Sequence, residues 1–183
     1  MRPTQWIAIT GAPCSGKTAV IDALSRRGFR VVPEAARAII DRRLKAGKSL
    51  AAIRSDPLAL QRAVLASKRE SERALPVSAT VFWDRGLPDG LAYYRLHGLD
   101  ADEVRRHCRY RYRHVFILDR LPMRLDPVRS EDDATARQLE RLLTAAYGEL
   151  GYRPTRVPLL TIDQRIDFIL SHADLPAAAA ADA

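Results

Sequence analysis

Apolar positions in this chain fall into two patterns: short solid runs, and longer stretches where they recur every three to four residues. The first solid run, Trp6-Ile7-Ala8-Ile9-Thr10, is apolar and β-branched, as a strand buried on both faces must be. From Lys17 to Arg27 the spacing turns helical, with Ala19, Val20, Ala23 and Leu24 on one side and Gly28 as a stop. Phe29-Arg30-Val31-Val32 predicts a second strand, ended by Pro33-Glu34, and a helix follows from about Glu34 to Lys45. Pro57 opens a further helix, Leu58 to Leu75, with Leu60, Val64 and Leu65 inward and Lys68, Arg69, Glu70, Glu72 and Arg73 outward.

Ala79-Thr80-Val81-Phe82-Trp83-Asp84 predicts a third strand, and Pro88-Asp89 begins a helix through Leu96. Another helix is expected over about Ala101 to Arg109, then a fourth strand at His114-Val115-Phe116-Ile117-Leu118-Asp119. Leu121 to Ser130 holds prolines and no periodicity, so it predicts a loop. The acidic turn Ser130-Glu131-Asp132-Asp133 starts a long helix to about Leu150. Arg156-Val157-Pro158-Leu159-Leu160 is the fifth expected strand, Asp163 to Leu170 the last helix, and Pro176 to Ala183 a frayed alanine-rich tail. Strands alternating with helices argue for an α/β fold, a parallel sheet covered on both faces. Ligands of such sheets lie at the carboxyl ends of the strands.

The most informative segment sits between the first strand and the first helix. Gly11-Ala12-Pro13-Cys14-Ser15-Gly16-Lys17-Thr18 is a complete G-x-x-x-x-G-K-[ST] motif in the strand–loop–helix context that gives it meaning. Gly11 and Gly16 let the backbone fold into a nest of inward N–H groups, and the helix that follows adds its positive end. Lys17 would reach the β- and γ-phosphates, and the Thr18 hydroxyl would hold one magnesium position. The expected ligand is a nucleoside triphosphate.

Length and composition set the bounds. The chain has 183 residues, enough for one domain with a full core, taken here as 1–172 with a lid at about 120–130 and a flexible tail at 173–183. No run approaches the roughly twenty apolar residues of a membrane span, and the N-terminus lacks the apolar centre of a signal peptide. Two cysteines, one inside the glycine loop, build no disulfide framework, so a cytoplasmic protein is expected. The net charge of +8 suits nucleic acid and phosphorylated small molecules alike, so charge alone decides nothing.

Polar residues at the strand ends complete the candidate site. Asp84 follows the third strand and could hold magnesium opposite Thr18; the alternative is a helix cap. Arg85 would face the same cleft, where its fork suits a phosphate or an acceptor group; the alternative is a surface salt bridge. Glu34, after the second strand, could orient or deprotonate an acceptor hydroxyl, or could serve only as a helix-start charge. Arg120, Arg124 and Arg129 lie in the expected lid, with Arg124 and Arg129 the better placed to stabilise a transferring phosphoryl group. The basic run Arg105 to His114, with Tyr110 and Tyr112 interleaved, is taken as a helix end and loop rather than as a nucleic-acid surface.

The order of these motifs resembles the AAA_28 family of small P-loop proteins. The resemblance rests on G-A-P-C-S-G-K-T, on V-V-P-E-A-A-R after the second strand, and on W-D-R-G-L-P-D at the third. The segments Leu121 to Arg129 and Tyr147 to Tyr152 extend it over nearly the whole chain. It implies a three-layer P-loop NTPase fold with a central, mainly parallel five-stranded sheet, similar to nucleoside and nucleotide kinases. The nicotinamide riboside kinase domain is a related member, and thymidylate kinase is a more distant relative.

The resemblance further implies ATP and Mg2+, with Asp84-Arg85 matching the D-R pair of these kinases and Glu34 matching a carboxylate near their acceptor site. It names no acceptor. The expected activity is transfer of the γ-phosphate to a small hydroxylated or phosphorylated acceptor, nucleoside-like or another metabolite. The alternatives are a nucleotide-binding regulatory switch and, less favoured, a nucleic-acid-binding P-loop protein. No N-K-x-D guanine signature occurs, and nothing suggests a ring-forming mechanical ATPase. ATP against GTP and pairing as a homodimer stay open.

Overall fold

The computed structural model describes residues 1–121 and 133–178. In chain order its elements are β1 (Arg2–Pro3), β2 (Trp6–Thr10), α1 (Lys17–Arg26), β3 (Arg30–Val32), α2 (Ala35–Lys45), α3 (Leu50–Arg54), α4 (Pro57–Ala74) and β4 (Val81–Asp84). There follow α5 (Asp89–Leu96), α6 (Asp102–Arg105), β5 (Tyr110–Arg111), β6 (His114–Leu118), α7 (Asp133–Glu149), β7 (Thr155–Val157) and α8 (Ile162–His172). The lid expected at 120–130, with Arg124 and Arg129, lies outside the described residues apart from Arg120 and Leu121.

Five strands form one sheet in the order β3-β4-β2-β6-β7, and every pairing among the described residues is parallel. The sheet is central because β2 and β4 are buried along their whole length, as their unbroken apolar composition demands. Period-two alternation then divides the core. Ile7, Ile9, Phe82, Phe116 and Leu118 face α1 and α8, whereas Trp6, Ala8, Val81, Trp83 and Val115 face the other way, towards Tyr112 and Tyr147. Beyond them α5 and α7 pack through Leu91, Ala92, Leu139, Leu143 and Ala146. Each such large side chain contributes about 1.5–3 kcal/mol by leaving water.

Parallel register has one functional consequence. Ile9 pairs with Asp84, Thr10 with Ile117, Val32 with Trp83 and Leu118 with Val157, so all five strands end at the same edge. Gly11, Glu34, Asp84 and Asp119 therefore emerge side by side from residues far apart in sequence.

Several local expectations need correction. The helix expected over 101–109 is one turn long, because Tyr110–Arg111 instead pairs with Arg2–Pro3 as a two-residue parallel ladder. Lys68 and Glu72, expected outward on α4, are buried, and with Gln61 they extend its apolar stripe of Val64 and Leu65. The short α3, started by a Ser49 side chain that accepts from the Ala52 N–H, was not foreseen. At the other end the chain stays on the core past residue 172: Ala173 is fully buried and Leu175 packs on the same cluster.

Candidate functional site

The glycine loop takes the shape its sequence requires. Gly11 has φ +150° and Gly16 φ +80°; a Cβ on Gly11 would stand 2.9 Å from the Leu118 carbonyl, so no other residue fits there without a backbone shift. Gly16 caps α1, and the first-turn amides of that helix have no acceptor within it. Lys17 is buried, with Nζ donating to Ser15 Oγ at 3.4 Å, and Thr18 is exposed at the second position of α1. Nest, lysine and hydroxyl thus stand together at the mouth of the sheet edge.

Donors from outside hold the loop in place. The Leu121 N–H donates to the Cys14 carbonyl at 2.8 Å, and Arg85 Nη1 donates to the Gly11 carbonyl at 3.0 Å. From α8, Arg165 Nη1 donates to the Ser15 carbonyl at 2.6 Å. Cys14 itself sits at φ +61°, a left-handed conformation that these contacts stabilise.

Arg85 is the centre of the site. It too is left-handed, at φ +68°, held by its own N–H on the Ile9 carbonyl at 3.0 Å and by buried Lys68 Nζ on its carbonyl. Its side chain is 6% exposed and faces protein groups: Nε donates to Glu34 Oε1 at 3.1 Å, and Nη1 lies 3.5 Å from Asp89 Oδ1. The guanidinium also rests over the Tyr93 ring, 5.2 Å from its centre. Nε and Nη1 of the fork expected to meet a phosphate or acceptor are thus engaged by Glu34, Gly11 and Asp89, while Arg85 also lines the adjoining cavity.

Glu34 occupies the N-cap position of α2, yet its side chain makes no capping bond and turns to Arg85 instead. In the sequence Asp89 reads only as a helix start. Its buried carboxylate accepts from the Thr10 hydroxyl and from the Tyr147 hydroxyl at 2.5 Å, joining the root of the glycine loop to α7. Asp84 is buried at the end of β4, and its Oδ1 has no hydrogen-bond partner among the described residues. Burial raises its proton affinity, against the opposing pull of Lys17 and Arg85. A buried, unpartnered carboxylate oxygen beside a lysine and a phosphate nest suits a hard divalent cation, and Thr18 supplies a hydroxyl of the same hard character.

Beside the loop opens a cavity of about 320 Å³ between α2, α4 and α5. Pro13 of the loop, Glu34 and Arg85 form one wall, while Ile40, Leu60, Val64 and Tyr93 give it an apolar interior. Gln61, on α4, also lines it. Arg37, Arg54 and His97 line it as well, so carboxylate, basic and apolar groups together suit a small polar molecule with an apolar part.

The remaining candidates divide. Arg120 donates to the Asp133 carboxylate at the start of α7, with Nη1 also 3.4 Å from the Asp133 carbonyl. In the basic run, Arg105 pairs with Glu149 at 2.7 Å, Arg111 donates to the Gly151 carbonyl at 2.8 Å, and Tyr112 is buried. Tyr110 packs on Trp6 at 5.1 Å. The interleaved aromatics are thus spent on the core, not presented as a stacking platform. No helix among the described residues is long and apolar enough to cross a membrane.

Sheet order, glycine loop and strand-end residues together define a P-loop fold of the nucleoside and nucleotide kinase type. The family model AAA_28, an AAA domain, matches residues 6–165, and the chain belongs to that family. No curated protein sequence matches significantly. Among solved structures, the NadR protein in complex with NR superposes with a TM-score of 0.69 at 13% identity, over 97% of this chain and 53% of that one. The chain thus spans about half the length of that protein. Thymidylate kinase from Ehrlichia chaffeensis gives 0.65 at 14% identity, covering 94% of this chain and 99% of the other. Deoxyadenosine kinase from M. mycoides gives 0.63 at 13%, covering 92% and 98%. At these identities the likeness concerns the fold.

Proposed function

We propose that the chain is an ATP- and magnesium-dependent phosphotransferase that moves the γ-phosphate to a small hydroxylated acceptor bound in the cavity beside the glycine loop. One observation carries this reading: the Arg85 guanidinium bridges Glu34 and the Gly11 carbonyl, which sets a carboxylate one side chain away from the phosphate nest and on the cavity wall.

The step follows from that placement. The nest and Lys17 bind the triphosphate and draw charge from its transferring end. Glu34 accepts the proton of the acceptor hydroxyl as its oxygen bonds to the γ-phosphorus, while the bond from that phosphorus to the β-bridging oxygen breaks and ADP departs. The apolar part of the cavity lining, Ile40, Leu60, Val64 and Tyr93, would seat the body of the acceptor. Asp84 and Thr18 are the residues that would hold magnesium, which supplies charge neutralisation at the β- and γ-oxygens when bound.

The test is ADP release from ATP and magnesium over a panel of nucleosides, nucleotides and small hydroxylated metabolites, repeated with Lys17→Ala. One acceptor raising the rate by orders of magnitude, and loss of that rate in a variant with ordinary circular dichroism, is expected. A slow rate that no acceptor changes points instead to a nucleotide switch, and full turnover by Lys17→Ala refutes the assigned loop chemistry.

A further inference from the structure

Arg165 stands apart from the residues already assigned. It belongs to α8, 150 positions from the loop residue it touches. Its residue exposure is 2%, its Nη1 donates to the Ser15 carbonyl at 2.6 Å, and its Nη2 reaches the Asp119 carbonyl at 3.4 Å. Its Nε is buried without a partner, and among the described residues no carboxylate lies within ion-pair distance. A buried guanidinium held by carbonyl oxygens carries a charge that Asp119 offsets only from a distance, short of an ion pair among the described residues.

The geometry of a planar peptide gives the contact its meaning. The carbonyl of residue 15 and the N–H of residue 16 belong to one trans unit and point in opposite directions. A donor pulling the Ser15 carbonyl towards α8 thereby turns the Gly16 N–H the other way. The Leu121 N–H does the same to the Cys14–Ser15 unit, and Arg85 to the Gly11–Ala12 unit. The carbonyls of three loop peptides are fixed from outside. Arg85 spends its charge on Glu34 and Asp89, whereas among the described residues Arg165 forms no ion pair.

We infer that Arg165 is a positioning residue of the phosphate loop, orienting the Ser15–Gly16 peptide and lending its buried charge to the binding of a polyphosphate chain. This rests on the reading of the loop as a triphosphate site, though not on any acceptor. The room around Gly16 agrees with it: a Cβ there would stand 3.3 Å from Arg165 Nη1 and 3.4 Å from Leu121 Cδ1, so α8 and the segment after β6 close directly on the loop.

The experiment compares the unaltered chain with Arg165→Met and Arg165→Lys by calorimetric titration, well below the thermal midpoint of each. The ligands are inorganic tripolyphosphate and ATP, each with magnesium. Loss of a charged hydrogen bond at the loop predicts a Kd roughly 10- to 100-fold higher for Arg165→Met. The rise should be equal for the two ligands, because the effect lies at the phosphates, and Arg165→Lys should recover part of it by restoring the charge. A structural role alone would lower both thermal midpoints and leave the Kd of the folded variants within twofold of the unaltered chain, which overturns the inference. Should Arg165→Met not fold, Arg165→Gln, which keeps a donor without the charge, decides by the same limit. If the unaltered chain binds neither ligand, the triphosphate reading itself fails, a result distinct from unchanged affinity in the variants.

Discussion

Arg85 Nε and Glu34 Oε1 stand 3.1 Å apart, and the other arm of the same guanidinium rests 3.0 Å from the Gly11 carbonyl. A carboxylate from the end of β3 and the first glycine of the phosphate loop are thereby held on one rigid plane. The pair is nearly dry, with side-chain exposures of 6% and 19%, so removing one partner leaves the other charge buried and costs more than breaking a surface ion pair.

Glu34→Gln tests the role of that carboxylate. The amide oxygen can still accept from Arg85, so the geometry survives while the proton acceptor is lost. The expected result is a fall in kcat of roughly 10²- to 10⁴-fold. Nucleotide affinity should change little, since Glu34 lies on the cavity side of the loop. A helix-start charge alone would leave kcat within a factor of two.

Asp84→Asn addresses the metal. The orphaned, buried Oδ1 belongs to a group that burial disfavours as an anion, and a divalent cation relieves that cost. The variant should need at least about ten times more magnesium for half-maximal turnover, by analogy with the loss of one ligating carboxylate. A magnesium titration that superposes on that of the unaltered chain removes Asp84 from the metal site.

Glu72 makes stability depend on pH. Burial pushes its carboxyl up to about 7 from an ordinary value of 4.5, with the Tyr112 hydroxyl, at 2.9 Å, acting in the opposite direction. Between those two values the folded chain holds a proton that the unfolded chain has released, so stability falls as pH rises through the window. Glu72→Gln removes the titration. Its unfolding free energy relative to the unaltered chain should improve by on the order of 3 kcal/mol between pH 4.5 and pH 8. Urea titrations at several pH values measure it, and a difference independent of pH contradicts the assignment.

Tyr147→Phe removes the hydroxyl that donates to Asp89 at 2.5 Å and leaves that buried carboxylate short of a donor. A loss of about 1–3 kcal/mol in unfolding free energy is expected. A change under about 0.5 kcal/mol, the range of an ordinary surface substitution, would show that the link between α7 and the loop root is dispensable.

Much of this molecule was legible in its sequence, for identifiable reasons. A parallel sheet buries its strands on both faces, so Trp6–Thr10 and Val81–Asp84 announce themselves as solid apolar runs. Once strand ends are known, the strand-end rule points to Glu34, Asp84 and Arg85 without further help. Residues that tertiary contacts recruit gave no such sign. A lysine at position 68 reads as outward because lysines usually are; its burial depends on the Arg85 and Gly86 carbonyls that await it across the site. A signal did exist there, since Gln61, Val64, Leu65, Lys68 and Glu72 share one helical stripe, and polar members of a buried stripe mark a site or a network. Arg165 left no local trace, because its partner is a backbone carbonyl on the far side of the fold.

The central claim is that the γ-phosphate reaches an acceptor in the cavity next to Glu34. Incubating the chain with magnesium and ATP labelled at the γ-phosphate, then separating products over the acceptor panel, tests it most directly. One acceptor carrying the label, mole for mole with the ADP formed, is the predicted result. Label found only as inorganic phosphate, whichever acceptor is present, would contradict the account.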